Sequence, residues 1–240
     1  MKVCVLQPDY STSSVDYKNY DPPRDLSRLL PGHQVDHVFL NKLYTYQQLR
    51  DLQYKGYDIF VNLCEGYLDW DIPSIDVIYA LEMLKLPFTG PTSRLYDPTK
   101  ELMKYVAFTE NVNTPRYALI SKLDEVEKSI SKLSFPLFVK PAKAGDSLGV
   151  DDHSLCHTAN EVKNKVKSIL DEYPTILIEE YIDGREFTVL LAAEPNNEKQ
   201  ARIFKPVEYI FPNGFAYKTY ALKTSELHTE ANIPCNDPDL

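Results

Sequence analysis

No apolar run in the 240-residue chain approaches the ~20 residues that a membrane-spanning helix needs. The stretch Met1–Pro8 has an apolar run too short for a signal peptide, and no small-residue cleavage site follows, so no secretory leader is expected. The four cysteines, Cys4, Cys64, Cys156 and Cys235, are scattered without a C-x-x-C pair. That excludes a readable zinc knuckle or redox motif. Without a leader they read as reduced thiols in the cytosol, with Cys4 and Cys64 in the core. Positive charge is scarce: 26 Lys and Arg against 35 Asp and Glu leave a net charge of -9. Nucleic acid is therefore not expected as the main partner, although a local basic pocket for a polyphosphate is still allowed. Neither a G-x-G-x-x-G nor a Walker A sequence occurs, and no internal repeat or low-complexity tract is found.

What is present suffices for a core. Hydrophobic residues make up 43% of the chain, with 17 tyrosines and 10 phenylalanines, which excludes a long disordered chain. The length allows one large or two small domains. The first third alternates strand and helix. Apolar runs at 3–6, 35–40 and 58–63 read as strands. The spacing at 44–55 and 74–84 predicts helices, and 86–90 a short strand. Such alternation implies a parallel sheet with helices on its faces. Beyond it, 100–111 reads as a helix, 116–120 as a strand, and Ser121 with Asp124 as a capping box opening a helix to about 133. A strand at 136–141 ends at a proline, and 142–149 is a loop by composition. Thr158 with Glu161 caps a helix to about 171, and 175–181 is a strand. Strands at 187–192 and 201–210 are expected to form a hairpin through the polar segment 194–200. The tail, 233–240, reads as an exposed loop that closes no domain.

Four features can carry chemistry, and each has an ordinary alternative. Lys140, at the exit of an apolar strand, can meet a phosphate or simply snorkel. The small, glycine-bearing loop Lys143–Gly149 can approach an anion with its backbone N–H groups or be a plain turn. In the run Ile176–Phe187, Glu179 can accept from an amino group and Glu186 from ribose hydroxyls, or both can be solvated surface glutamates. The run Phe215–Thr224 interleaves aromatics with two lysines, or is an exposed strand whose aromatics pack inward at alternate positions.

In this order and spacing the features resemble the ATP-grasp superfamily, and within it the D-alanine–D-alanine ligases, from about Asp58 to Thr224. Phe60–Gly66 is similar to the strand and loop that end the family's first domain. Leu81–Pro91 resembles its LE-x-x-x-[IL]-P-[FY]-TG passage, and Asp97–Lys100 its DK segment with two extra residues. Pro136–Pro141 fits P-x-x-VKP, and Ser147-Leu148-Gly149 fits S-[VL]-G. Ile178–Val189 fits [VI]E-x-[FYW]-[IL]-x-G-x-E-[FLI]-[TS]-V.

The resemblance implies an α/β fold: a parallel domain over 1–96, a central ATP-grasp subdomain over 97–184, and the start of a C-terminal subdomain over 185–240. It implies ATP held between two antiparallel sheets. Lys100 and Lys140 would contact phosphates, Glu179 the adenine amino group, and the backbone of Glu180, Tyr181 and Ile182 the base. Glu186 would hold the ribose. Gly145, Ser147 and Gly149 would belong to a lid over the phosphates. Ser147 and Lys223 would serve near the transferred phosphate. The implied reaction forms an amide through an acyl phosphate from small amino-acid-like substrates, with magnesium, in a cytoplasmic enzyme of a family whose members are often homodimers and need neither nucleic acid nor membrane.

Departures gather on the amino-acid side of the site. The first loop lacks the family's glycine-rich pattern, with Asp16 the candidate for its glutamate. Asp146 stands where a lid serine is expected, and Thr224 where a tyrosine is. The family's magnesium ligands and substrate-binding arginine fall beyond Leu240. The expectation is therefore an incomplete ATP-grasp domain: a ligase fragment or a non-catalytic ATP-binding relative. A protein keeping only the fold is the remaining alternative.

Overall fold

In the computed structural model, which describes residues 1–14, 21–145, 147–194, 197–211, 214, 216–219 and 232–237, the chain divides into two units, Met1–Asp97 and Pro98–Leu240. The first is built on three parallel strands, β1 (Lys2–Pro8), β2 (Gln34–Leu40) and β3 (Ile59–Asn62), in the order β2-β1-β3. The central strand β1 is buried from Val3 to Pro8, which is why it reads as one apolar run rather than an alternation. Helices α1 (Thr45–Leu52) and α2 (Ile75–Met83) supply Leu49, Leu52, Val77, Ala80 and Leu81 to the same core as Cys4, Leu6, Phe60 and Cys64. Burial pushes the Cys4 thiol up to about 11 and that of Cys64 higher still, so both are inert packing groups. The strand expected at 86–90 reduces to a single parallel bridge between Phe60 and Phe88.

The second unit opens with α3 (Lys100–Thr109), then β4 (Tyr117–Ile120), α4 (Val126–Ile130), β5 (Leu137–Pro141), β6 (Leu155–Cys156), α5 (Ala159–Ile169) and β7 (Ile176–Glu180). The four strands form an antiparallel sheet in the order β4-β7-β5-β6. One face is apolar and carries α4 and α5: Ile120, Leu137, Val139, Ile176 and Ile178 pack with Val126, Ile130, Val162, Val166 and Ile169. Strand alternation then sends Tyr117, Phe138, Lys140 and Glu179 to the opposite face. The register brings them together, because Glu179 pairs with both Tyr117 and Phe138.

Further on lie β8 (Glu186–Thr188), β9 (Leu191–Glu194), β10 (Asn197–Ile203), β11 (Val207–Tyr209) and β12 (Asn232–Pro234). They form an antiparallel β9–β10 hairpin and a separate sheet, β12-β11-β8. The single hairpin expected over 187–210 is thus two pairings. Pro206 offers no N–H to a ladder and ends one strand before the next begins. Part of the tail expected as a loop is strand: Asn232–Pro234 pairs with β11, and the Cys235 N–H donates to the Pro206 carbonyl at 2.9 Å.

The helix starts also discriminate. Before α4 the capping carboxylate is Glu125, not Asp124: Glu125 Oε2 accepts from the N–H groups of Ser121 and Lys122 at 2.9 and 3.1 Å. At α5 the expected residues act. The Thr158 hydroxyl accepts from Glu161 N at 3.3 Å, and the Glu161 carboxylate accepts from His157 N at 2.7 Å. Thr158→Ala is expected to cost about 1 kcal/mol in chemical denaturation, while Thr158→Ser retains most of it.

Candidate functional site

On the face opposite α4 and α5 the second unit encloses a cavity of about 460 Å³, within the range of small-molecule sites. Its lining comes from β5, the end of β7, the start of β8, the loop 144–150 and the segment 217–218. Of the residues singled out by sequence, Lys100, Lys140, Gly145, Ser147, Glu179, Glu180, Tyr181, Ile182 and Glu186 all line it. Gly149 does not. Lys223 lies outside the described residues, as do Asp16, Asp146 and Thr224.

Glu179 is the electrostatic centre. It is 8% exposed, and each carboxylate oxygen meets an ammonium: Oε1 that of Lys140, and Oε2 that of Lys104 at 2.8 Å. Burial alone would push its carboxyl up, but the two lysines outweigh burial and hold it below the usual carboxylate range. Lys140 also stands 5.5 Å over the Phe138 ring. Glu180 turns away from this centre: its Oε1 accepts from Ser134 N at 2.8 Å and faces Arg116 at 3.6 Å. At this strand end Glu180 therefore offers backbone rather than its carboxylate, while the Tyr181 hydroxyl donates to the Ala216 carbonyl at 2.8 Å. The Tyr181 N–H is spent on the Pro136 carbonyl at 3.0 Å.

The loop is held at several points. The Lys100 ammonium donates to the Ala144 carbonyl at 2.8 Å, and the Lys100 backbone N–H to the Ala142 carbonyl at 3.2 Å. Ser147 adopts φ +60°, an uncommon conformation for a residue with a Cβ, and its hydroxyl donates to the Lys218 carbonyl at 3.0 Å. Gly149 has φ +72° and sits against Pro141 and the Tyr173 ring, so its contribution is conformational.

Among the lining residues not assigned a role from sequence, three bear aromatic or charged side chains. Lys218 pairs with Glu186 at 2.6 Å and lies 4.0 Å over the Tyr209 ring. Tyr217 meets Phe138 edge to face at 4.8 Å, and its hydroxyl donates to the Asp151 carbonyl at 2.9 Å. Burial pushes the Tyr217 hydroxyl up to about 12, keeping it a donor near neutrality. Phe138 stacks at 6.4 Å on Tyr181. The alternation of Phe138 with Val139 in β5 was the available signal for one of these. For Lys218 and Tyr217 the aromatic–lysine interleaving was visible, but not what it faces.

The donor set suits a polyanion with a planar end. Three ammonium groups and the loop 144–150 gather at one cavity, with the Phe138 and Tyr217 rings beside them. A divalent cation is a different matter. Among the described residues no cluster of three or more His, Cys, Asp or Glu side chains could hold a metal ion, so these residues do not make up a magnesium site. Among the described residues no helix is long and apolar enough to cross a membrane.

The family model for the D-ala D-ala ligase C-terminus matches residues 102–238. The D-alanine–D-alanine ligase of Clostridium perfringens (strain SM101 / Type A) is 33% identical over 111 residues, covering 45% of this chain and 36% of that protein. The D-alanine–D-alanine ligase of Petrotoga mobilis is 26% identical over 206 residues, covering 85% of this chain and 60% of that protein. The chain thus spans between 36% and 60% of the length of these curated relatives. The crystal structure of D-alanine–D-alanine ligase from Bacillus anthracis complexed with ATP matches with a TM-score of 0.59 at 19% identity, covering 90% of this chain and 68% of that one. That last likeness is one of fold.

Proposed function

The chain belongs to the D-alanine–D-alanine ligase family, through its match to the family's C-terminal domain, and from that premise we propose that the cavity of the second unit binds ATP for a carboxylate–amine ligation. The observation that carries the reading is the convergence of Lys100, Lys140, Glu179 and Glu186 on one cavity, next to strand-end backbone and a small-residue loop. In this reading Lys100 and Lys140 offset phosphate charge in a partly dry site, where such interactions exceed their strength in water. The backbone of Glu180 and Ile182 reads the edge of the base, while Phe138 and Tyr217 flank its plane. Glu186 accepts from ribose hydroxyls once Lys218 yields it. Ser147 and the residues around it close over the phosphates and exclude water.

ATP then phosphorylates a carboxylate, and an amine displaces phosphate from the acyl phosphate to form an amide. The contribution of these residues is positioning and charge stabilisation. The loop and the acidic strand end set where the phosphates and sugar lie. The substrates are proposed to be small and amino-acid-like, after the named activity of the relatives.

The test is thermal unfolding of the chain with ATP, ADP and GTP. A ligand at ~100 times its dissociation constant adds about 2.7 kcal/mol, a readable rise in Tm. The reading expects that rise with ATP and ADP and a much smaller one with GTP. No rise with any nucleotide would refute it.

A further inference from the structure

Lys104 is the one buried residue of α3, a helix that otherwise presents exposed side chains such as Tyr105 and Phe108. A lysine in that position is costly unless its charge is matched. Its ammonium donates to Glu179 Oε2 at 2.8 Å and to the Pro115 carbonyl at 3.0 Å, and stands 4.9 Å over the Tyr117 ring. Lys104 does not line the cavity, whereas its partner Glu179 and the lysine on the other carboxylate oxygen, Lys140, both do.

The cluster therefore holds two ammonium groups against one carboxylate. With Lys140 and Glu179 alone, the pair would be neutral, and the Lys140 charge would be spent on its own neighbour. We infer that Lys104 is a positioning residue that neutralises Glu179 from behind, leaving the Lys140 charge available to an anion in the cavity. The inference rests on the nucleotide reading and deepens it. It gives a role to a buried lysine that does not line the cavity but partners a carboxylate that does.

Charge, rather than shape, is what Lys104 supplies, so its removal acts on phosphates and spares the nucleoside. Isothermal titration of the full chain with ATP and with adenosine reads the difference. Lys104→Met is expected to weaken ATP by about tenfold or more while adenosine stays within about twofold. Lys104→Arg, which keeps the charge, is expected to hold ATP within about threefold of the unsubstituted chain. In a Glu179→Gln background the carboxylate charge is already gone. Removing Lys104 there is expected to change ATP affinity by less than about twofold, a comparison that stands even if Lys104→Met alone does not fold.

Equal weakening of ATP and adenosine by Lys104→Met would overturn this inference and leave the nucleotide reading intact. So would a large loss of ATP affinity on removing Lys104 from the Glu179→Gln chain. Failure of the unsubstituted chain to bind either ligand would overturn both.

Discussion

Glu179→Ala is expected to destabilise the second unit by about 3–5 kcal/mol. The substitution leaves Lys104 and Lys140 without their shared carboxylate on a buried strand end, where Glu179 is 8% exposed. Removing one partner of a buried ionic cluster strands the others, and that cost exceeds the worth of the intact contacts. Hydrogen exchange of the β7 amides is the suitable readout, since the single tryptophan, Trp70, belongs to the other unit. Glu179→Gln keeps the shape and an acceptor and should cost less. Unchanged β7 protection in Glu179→Ala would show that the cluster contributes nothing to folding.

The same centre sets an acid limit. The Glu179 carboxyl lies below the usual carboxylate range in the folded chain. Its stabilising contribution is complete above the unfolded value of about 4.3 and is lost as pH falls through the lower folded value. The stability gap between the unsubstituted chain and Glu179→Gln should accordingly narrow below about pH 4.

Gly149→Ala is the second large effect, at a residue that does not line the described cavity. Its φ of +72° disfavours any Cβ, and a Cβ there would lie 2.6 Å from Pro141 Cγ, 2.9 Å from Pro141 Cδ and 3.2 Å from the Tyr173 ring. Left-handed backbone costs about 1–2 kcal/mol and overpacking about 1–3 more. At about 2–4 °C per kcal/mol, the melting temperature should fall by roughly 4–20 °C. Pro141 follows Lys140 directly, so pushing the proline aside should also weaken ATP binding. A melting temperature within a degree of the unsubstituted chain would show that the loop accommodates the methyl group by shifting.

Much of this was legible beforehand. The Val3–Leu6 run announced a strand covered on both faces, because burial on both sides removes the need for alternation. Thr158 and Glu161 announced the start of α5, because capping is local chemistry. The lysine after Phe138-Val139 and the glutamates after Ile176–Ile178 could be picked out because each is the first charge to leave an apolar strand. The misplaced capping box shows the limit of local reading: Asp124 and Glu125 are adjacent acids, and only the onset of the helical turn decides which one reaches the free N–H groups.

By itself, the amino-acid sequence determined the alternation of strands and helices and the charges that leave the site's strands, since these follow from periodicity, capping and the ends of apolar runs; Lys100 and the strand-end residues 180–182 were picked out only through the family resemblance. Only the tertiary structure decided their partners. That Lys104 meets Glu179, that Lys218 meets Glu186, and that Tyr217 closes on Phe138 depend on contacts 75, 32 and 79 residues apart in the chain. No local pattern encodes such pairings. The first and third arise because the β4-β7-β5 register puts Glu179 beside Tyr117 and Phe138 on the face that α4 and α5 leave uncovered. A charge on that face must find its counter-charge in whatever element folds against it.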